Sequence, residues 1–182
     1  MLFNGRRIMN AAIFAVWLTV SAAAQTGTAG SVQRMPSKPI RPFVVLTAQS
    51  LADAEKKLHP ANKVEELTGG EGMQLRVALQ HEKDTQADTG ELHDASDDVY
   101  YVIEGSATLT LGGTLEGARE VEPGEWRGRI AGGQKVEITK GDLVIVPRGT
   151  PHQRSTVGQD FSMILIKVYA DPRPAPPSKV KH

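Results

Sequence analysis

The sequence predicts an all-β domain, an antiparallel sandwich or barrel with a short helix near its N-terminus and flexible tails. Glycine (18) and proline (11) are frequent among the 182 residues, whereas aromatic residues make up 5%. Several short apolar segments alternate with glycine- and proline-containing turns, and helical periodicity is weak and confined to one place. Many short strands joined by turns are typical of sandwiches and barrels.

The first 24 residues resemble a secretory signal peptide. Arg6 and Arg7 precede an apolar run from Ala11 to Val20, and Ala22–Ala24 supplies small residues for cleavage. An uncleaved anchor is the alternative, but the apolar run is short for a membrane-spanning helix. We therefore expect an exported protein, periplasmic or secreted, with no membrane association after signal cleavage.

The rest of the chain divides into three segments. Residues 25–42 are rich in Ser, Gly, Thr and Pro and predict a linker or N-terminal arm. Residues 43–170 predict one β-barrel domain. Residues 171–182 contain four prolines and predict a flexible, extended tail.

The domain is expected to begin with a strand and a helix. Phe43–Leu46 is a short apolar strand candidate. Ser50 has the chemistry of a helix N-cap, and Leu51, Ala54 and Leu58 follow at helical spacing.

A period-two pattern follows the helix. Residues 73–81 place Met, Leu, Val, Leu and His on one face of a half-buried strand. Residues 99–111 predict a second strand that is broken at Glu104–Gly105. After a long polar connection containing Trp126, three more strands are predicted at 136–138, 143–146 and 161–168.

The composition also limits the chemistry. The chain contains no cysteine, so a metal site must use His, Asp, Glu and water. The 21 basic and 21 acidic residues balance, which argues against a nucleic-acid partner because such proteins usually carry a basic patch.

Two polar clusters contain the candidate site residues. Glu91 and His93 are two positions apart and point the same way in an extended chain, and the turn residues 94–97 allow Asp98 to join them. In the second cluster, Gly149 permits a tight turn that presents His152. Two imidazoles with carboxylates suit Fe, Mn, Zn, Ni or Co as divalent ions. Spacing alone slightly favours the alternative that these are ordinary loop and turn residues, because clusters of histidine and acidic residues are common on protein surfaces.

The arrangement of these clusters resembles the cupin superfamily. The second cupin motif is matched by Gly141, Pro147, Gly149 and His152, with Thr156 in place of the final asparagine. The first motif is matched more loosely by His93, Asp98 and Gly105, while Glu91 occupies the position of the first histidine. The resemblance covers residues 73–168. It implies a jelly-roll barrel that holds a divalent metal ion through Glu91, His93, Asp98 and His152.

Two further residues could border the barrel cavity and contact a substrate. His81 ends the apolar face of its strand, but a strand-end histidine bonded to the backbone or water is the alternative. Tyr100 shares parity with Asp98 and should point inward, where core packing is equally compatible.

Two functions remain open at this level. The first is a metal-dependent dioxygenase or isomerase acting on a small oxygenated molecule, with Glu91 as metal ligand or general base. The second is a non-catalytic barrel that binds a small molecule or a metal ion. The resemblance also implies pairing into a homodimer through edge strands.

Overall fold

The computed structural model describes residues 38–39, 41–59, 61–70 and 72–173. The predicted signal peptide, most of the linker and most of the C-terminal tail lie outside these residues. No helix in the described ranges is long and apolar enough to span a membrane. The elements are α1 (Ala48–Leu58), β1 (Lys63–Thr68), β2 (Leu75–Lys83), β3 (Gly90–His93), β4 (Ser96–Leu111), β5 (Thr114–Glu122), β6 (Glu125–Ala131), β7 (Gln134–Thr139), β8 (Leu143–Val146), β9 (His152–Ser155) and β10 (Asp160–Tyr169).

The strands form two antiparallel sheets that share the long strand β4. The first part of β4 pairs with β10 and β8, and this sheet continues from β10 through β2 to β1. The second part pairs with β7 and β9, and that sheet continues through β3 and β6 to β5. The predicted all-β class, an antiparallel jelly-roll barrel with one short helix, is confirmed.

Strand β4 is continuous, although the sequence predicted a break at Glu104–Gly105. Gly105 has a φ of 71° and pairs with Phe161 at the point where β4 leaves one sheet for the other. A side chain at this position would collide with the backbone of Asp160. Glycine therefore lets the strand bend from one sheet into the next without ending.

The main core lies between the two sheets. Alternate residues of β4 point inward, including Tyr100, Val102 and Leu109, each at most 1% exposed. Phe161, Met163 and other residues complete this cluster. The same alternation carries Asp98 into the interior, because it is two residues before Tyr100.

The helix α1 covers the outer face of the sheet that contains β2 and β10. Ala54 and Leu58 pack against Leu79 in a second, smaller core. The helix begins earlier than predicted, because the Thr47 hydroxyl accepts a hydrogen bond from the Ser50 amide at 3.1 Å. The predicted N-cap at Ser50 is therefore wrong.

Residues 43–46 do not form the predicted strand. They have no regular secondary structure and are exposed, with Phe43 at 89% and Val45 at 70%. No described strand pairs with this segment, so its apolar character reflects something other than sheet formation.

The polar connection after β4 is a β-hairpin, which the sequence analysis did not identify. Strands β5 and β6 pair from Thr114 and Ala131 to Glu122 and Glu125, and Gly124 has a positive φ in the turn. Most of β5 is exposed, so it lacks the alternating apolar pattern by which strands are identified.

Candidate metal centre

The site lies inside the barrel, where strands β3 and β9 run side by side. Glu91 and His152 are direct partners across this pair, so their side chains emerge next to each other. Arg127 and Glu125 of β6 pair with Glu91 and His93 on the other side of β3. The two clusters identified in the sequence are thus neighbours in one sheet.

Two sets of hydrogen bonds hold the turn before His152 against the end of β3 and the start of β4. The Gly149 amide, in a residue with φ of 77°, donates to the His93 carbonyl at 2.8 Å. The Arg148 amide donates to Asp97 at 2.8 Å, and its guanidinium lies 2.9 Å from the same carboxylate. The second motif is therefore held against the first by its own backbone.

All four predicted ligands converge. Glu91, His93 and His152 each offer one ligand atom, and these three atoms lie within 4.8 Å of one another. Asp98 Oδ2 is 3.3 Å from His93 Nε2 and 3.8 Å from His152 Nε2. Glu91 Oε1 is 3.4 Å from His152 Nε2. The prediction that the turn at 94–97 brings Asp98 to the histidines agrees with this geometry.

Both histidines are oriented through their Nδ1 atoms. His152 Nδ1 donates to the Thr150 carbonyl at 2.9 Å, and since a carbonyl can only accept, this nitrogen carries the proton. His93 Nδ1 contacts the Glu125 carboxylate. Each Nε2 atom is buried and makes no hydrogen bond of adequate geometry.

This pattern fits a metal site. Metal-binding histidines usually donate their second nitrogen to a carbonyl or carboxylate, which fixes the tautomer and leaves the other nitrogen for the ion. Two such imidazoles beside two carboxylates match the ligands that borderline and hard divalent ions accept.

Positive side chains balance the carboxylates of the site. Arg127 Nη1 lies 2.5 Å from Glu91, and Lys167 Nζ lies 3.2 Å from Asp98 and 3.9 Å from Glu125. Sequence reasoning did not place Glu125 or Lys167 in the site. Lys167 could have been found, because it shares parity with the inward residues Met163 and Leu165 of β10.

The charges change the protonation of the site residues. Burial would lower the pKa of His93, but the neighbouring carboxylates of Asp98 and Glu125 outweigh it and raise that pKa to about 9. Burial raises the pKa of Glu91, yet His152 and Arg127 together bring it well below its usual range. The pKa of Asp98 is lowered against burial by His93 and Lys167.

Three of the four residues, Glu91, His93 and Asp98, line a cavity of about 680 Å³. Tyr100 lines it, as its parity predicted, and its hydroxyl donates to Asp98 Oδ2 at 3.3 Å. Burial raises the pKa of Tyr100 well above its usual value, so the hydroxyl keeps its proton. Arg154 lies over the Tyr100 ring at 5.5 Å. The size is typical of small-molecule pockets.

His81 does not border this cavity, contrary to the prediction. Its strand β2 turns Arg76 and Gln80 toward the cavity, and the opposite face, with Leu79 and His81, is covered by α1. The error arose because the apolar face of β2 was assigned to the barrel interior. It packs instead under the helix, so both faces of β2 are covered.

The chain has the antiparallel jelly-roll barrel that the cupin resemblance implies, and His93, Asp98 and His152 are buried inside it. No protein-family model matches the chain, and no curated protein matches it. Solved structures that match include a protein from Bacillus halodurans (18% identity, 75% of this chain, 88% of the other, TM-score 0.48). KdgF from a Halomonas species also matches, with 19% identity over 64% of this chain and 84% of the other, and a TM-score of 0.41. A cupin superfamily protein from Desulfitobacterium hafniense matches with 18% identity over 59% of this chain and 79% of the other, and a TM-score of 0.40. At these levels the similarity carries no function to this chain.

Proposed function

We propose that the chain binds one divalent metal ion in its barrel cavity and uses it to bind and transform a small oxygenated molecule. The observation that carries the proposal is the pair of buried Nε2 atoms, of His93 and His152, without hydrogen-bond partners beside two carboxylates. The ligand set suits Fe, Mn, Zn or Ni. A bound ion of this kind supplies Lewis-acid polarisation or dioxygen activation.

Each residue has a separate task in this proposal. His93 and His152 bind through Nε2, while Glu125 and the Thr150 carbonyl hold their Nδ1 protons. Asp98 supplies a third ligand and is kept ionised by Lys167. Coordination positions left by the protein are open to a substrate oxygen.

Glu91 acts as a ligand rather than as a general base. Its carboxylate is paired with Arg127 and faces His152, and its pKa is well below the usual range. Such a weakly basic carboxylate is a poor proton acceptor near neutral pH. The proposed reaction is an oxygenase or isomerase reaction, in which Tyr100 and Arg154 would orient the bound molecule from the cavity wall.

Metal analysis of untagged protein tests the proposal. We expect one ion in the barrel of wild-type protein and its loss in His152→Ala. Trace metal that His152→Ala leaves unchanged would refute it. Turnover is then assayed with diketones, phenols and sugar-derived acids. Glu91→Gln separates the roles, because a ligand loses metal and activity together, whereas a base loses activity with metal retained.

A non-catalytic binding barrel is the second candidate. The pairing of Arg127 with Glu91 and of Lys167 with Asp98 favours it, because these charges already satisfy each other and leave no obvious acid–base pair. Metal-loaded protein that binds such molecules without changing them would select this candidate.

We also propose, from the signal-like N-terminus, that the protein is exported, and that it pairs into a homodimer. Leu143 and Ile145 support the pairing, since both are more than 60% exposed on β8. Cell fractionation tests export and light scattering tests the dimer. A protein retained in the cytoplasm, or a monomer at high concentration, would contradict the respective proposal.

A further inference from the structure

A second cluster of histidine and carboxylate side chains lies outside the barrel, where α1 packs on β2 and β10. Glu55 and His59 are four residues apart at the C-terminal end of α1, and therefore point to the same side. His81 of β2 faces them from the sheet. Single ligand atoms of these three residues lie within 4.8 Å of one another.

Two carboxylates meet one imidazole nitrogen in this cluster. His59 Nε2 is 2.5 Å from Glu55 Oε1 and 3.3 Å from Glu104 Oε2. A single N–H proton cannot make a strong, directed hydrogen bond to both oxygens. A divalent cation bound to Nε2 can interact favourably with both carboxylates.

His81 gives an independent indication of a ligand. Its side chain is 0% exposed, and its Nδ1 lies 2.9 Å from the Ser162 hydroxyl and 3.9 Å from Glu55 Oε1. Its Nε2 is buried without any hydrogen-bond partner among the described residues. Buried polar atoms are rarely left unpaired, and an unpaired one often marks a bound ion or water.

The two rings are also unusually close. The centroids of His59 and His81 are 3.7 Å apart with the planes tilted by 39°. Two protonated imidazoles at this separation would repel each other strongly. Neutral rings that share a metal ion avoid that repulsion.

We propose that Glu55, His59 and His81 form a second metal site, selective for Zn(II)-like cations, that fastens α1 to the barrel. Two imidazoles and a glutamate are an established zinc ligand set, and the chain offers no cysteine as competitor. The site is separate from the barrel centre, because His81 and Ser162 are on the outer face of the sheet whereas Lys167 and Asp98 are on the inner face. Its role is structural, because Glu55 and His59 come from α1 and its C-cap and His81 comes from β2, so a shared ion joins the helix to the sheet.

Calorimetric titration of Zn(II) into chelator-stripped, untagged protein tests the inference. We expect wild-type protein to bind two ions per chain, His152→Ala one, and the double variant His152→Ala/His59→Ala none. Asp53 has an exposed carboxylate on the same helix, so Asp53→Asn is the matched control. It should leave the number of bound ions and their affinities unchanged. His59 is partly exposed, so its replacement should preserve the fold, which circular dichroism verifies.

The outcomes also separate this inference from the proposed barrel site. If His59→Ala binds as many ions as wild type, with unchanged affinity, the second site does not exist. If His152→Ala changes nothing while His59→Ala removes an ion, the barrel proposal fails and the second site stands. A chain that binds no Zn(II) at all contradicts both. As a second readout, Zn(II) should raise the thermal midpoint of His152→Ala and leave that of the double variant unchanged.

Discussion

The barrel cluster of Glu91, His93, Asp98 and His152 and the helix cluster of Glu55, His59 and His81 both combine histidines with carboxylates. They lie on opposite sides of the sheet that contains β2 and β10. The barrel cluster is supplied by strands, and the backbone and Glu125 fix both of its histidines. The helix cluster depends on how well α1 packs, since two of its three members are on that helix.

The difference shows how the fold decides what a cluster can do. The barrel cluster opens onto a cavity and is surrounded by compensating charges, so it can present an ion to a molecule from solution. The helix cluster is covered by α1 and its ligands face one another. The first arrangement suits chemistry and the second suits stabilisation.

Removing the packing of α1 should separate the two clusters most clearly. Leu58 is 5% exposed in the small core, and Leu58→Ala should cost roughly 3 kcal/mol of unfolding free energy through the cavity it leaves. We expect weakened metal binding at the helix cluster with barrel binding unchanged. Denaturant unfolding and metal titration measure both, and equal weakening at the two clusters would mean that they are not independent.

The carboxylate that orients His93 can be altered without replacing any of the four predicted metal ligands. Glu125→Gln weakens the acceptor for His93 Nδ1 and should reduce barrel metal affinity by about 10–100-fold. Competition with a chelator measures the change. The exposed Glu120→Gln, whose carboxylate accepts a hydrogen bond from the Gly124 amide, is the control, and an equal loss there would contradict the role of Glu125.

The metal-free protein should lose stability as pH rises. The folded pKa of His93, about 9, is above its ordinary value, so the stabilisation is fully present below about pH 6.5 and is lost as pH rises through 9. The carboxylates of the site stay ionised between these two pH values, so they do not contribute to the change of unfolding free energy with pH. Chelated protein should lose on the order of 2 kcal/mol between these pH values. In His93→Gln this decrease of the unfolding free energy with pH should disappear. A decrease that persists would show that another titrating group causes it.

The smallest expected effect concerns the start of α1. Thr47→Ala removes the cap and should cost about 1 kcal/mol, whereas Ser50→Ala, at the position that the sequence favoured, should cost less. Thermal unfolding of the two variants compares them directly. A larger loss for Ser50→Ala would reverse the assignment of the cap.

The strands with apolar alternation could be predicted from the sequence, and the others could not. Residues 143–146 and 161–168 were identified nearly to their ends, because one or both faces are buried. Strand β5 is largely exposed and lacks apolar alternation, so the β5–β6 hairpin and its pairing with β3 could not be predicted from a local pattern.

The ligands of the barrel site could be predicted, but their surroundings could not. Spacing and the motif placed Glu91, His93, Asp98 and His152 together. Glu125 depends on the unpredicted pairing of β3 with β6, which no local pattern indicates. His81 was misplaced because a strand pattern gives two faces without saying which one a helix covers.

A crystal structure of Zn(II)- or Mn(II)-loaded protein, with data collected at the absorption edge of the metal, tests most directly whether the barrel binds a metal ion. We expect an anomalous peak in the barrel at roughly 2.0–2.3 Å from the Nε2 atoms of His93 and His152, with a Glu91 or Asp98 oxygen as a further ligand. A barrel without an anomalous peak, or with water between the histidines in metal-saturated crystals, would contradict it.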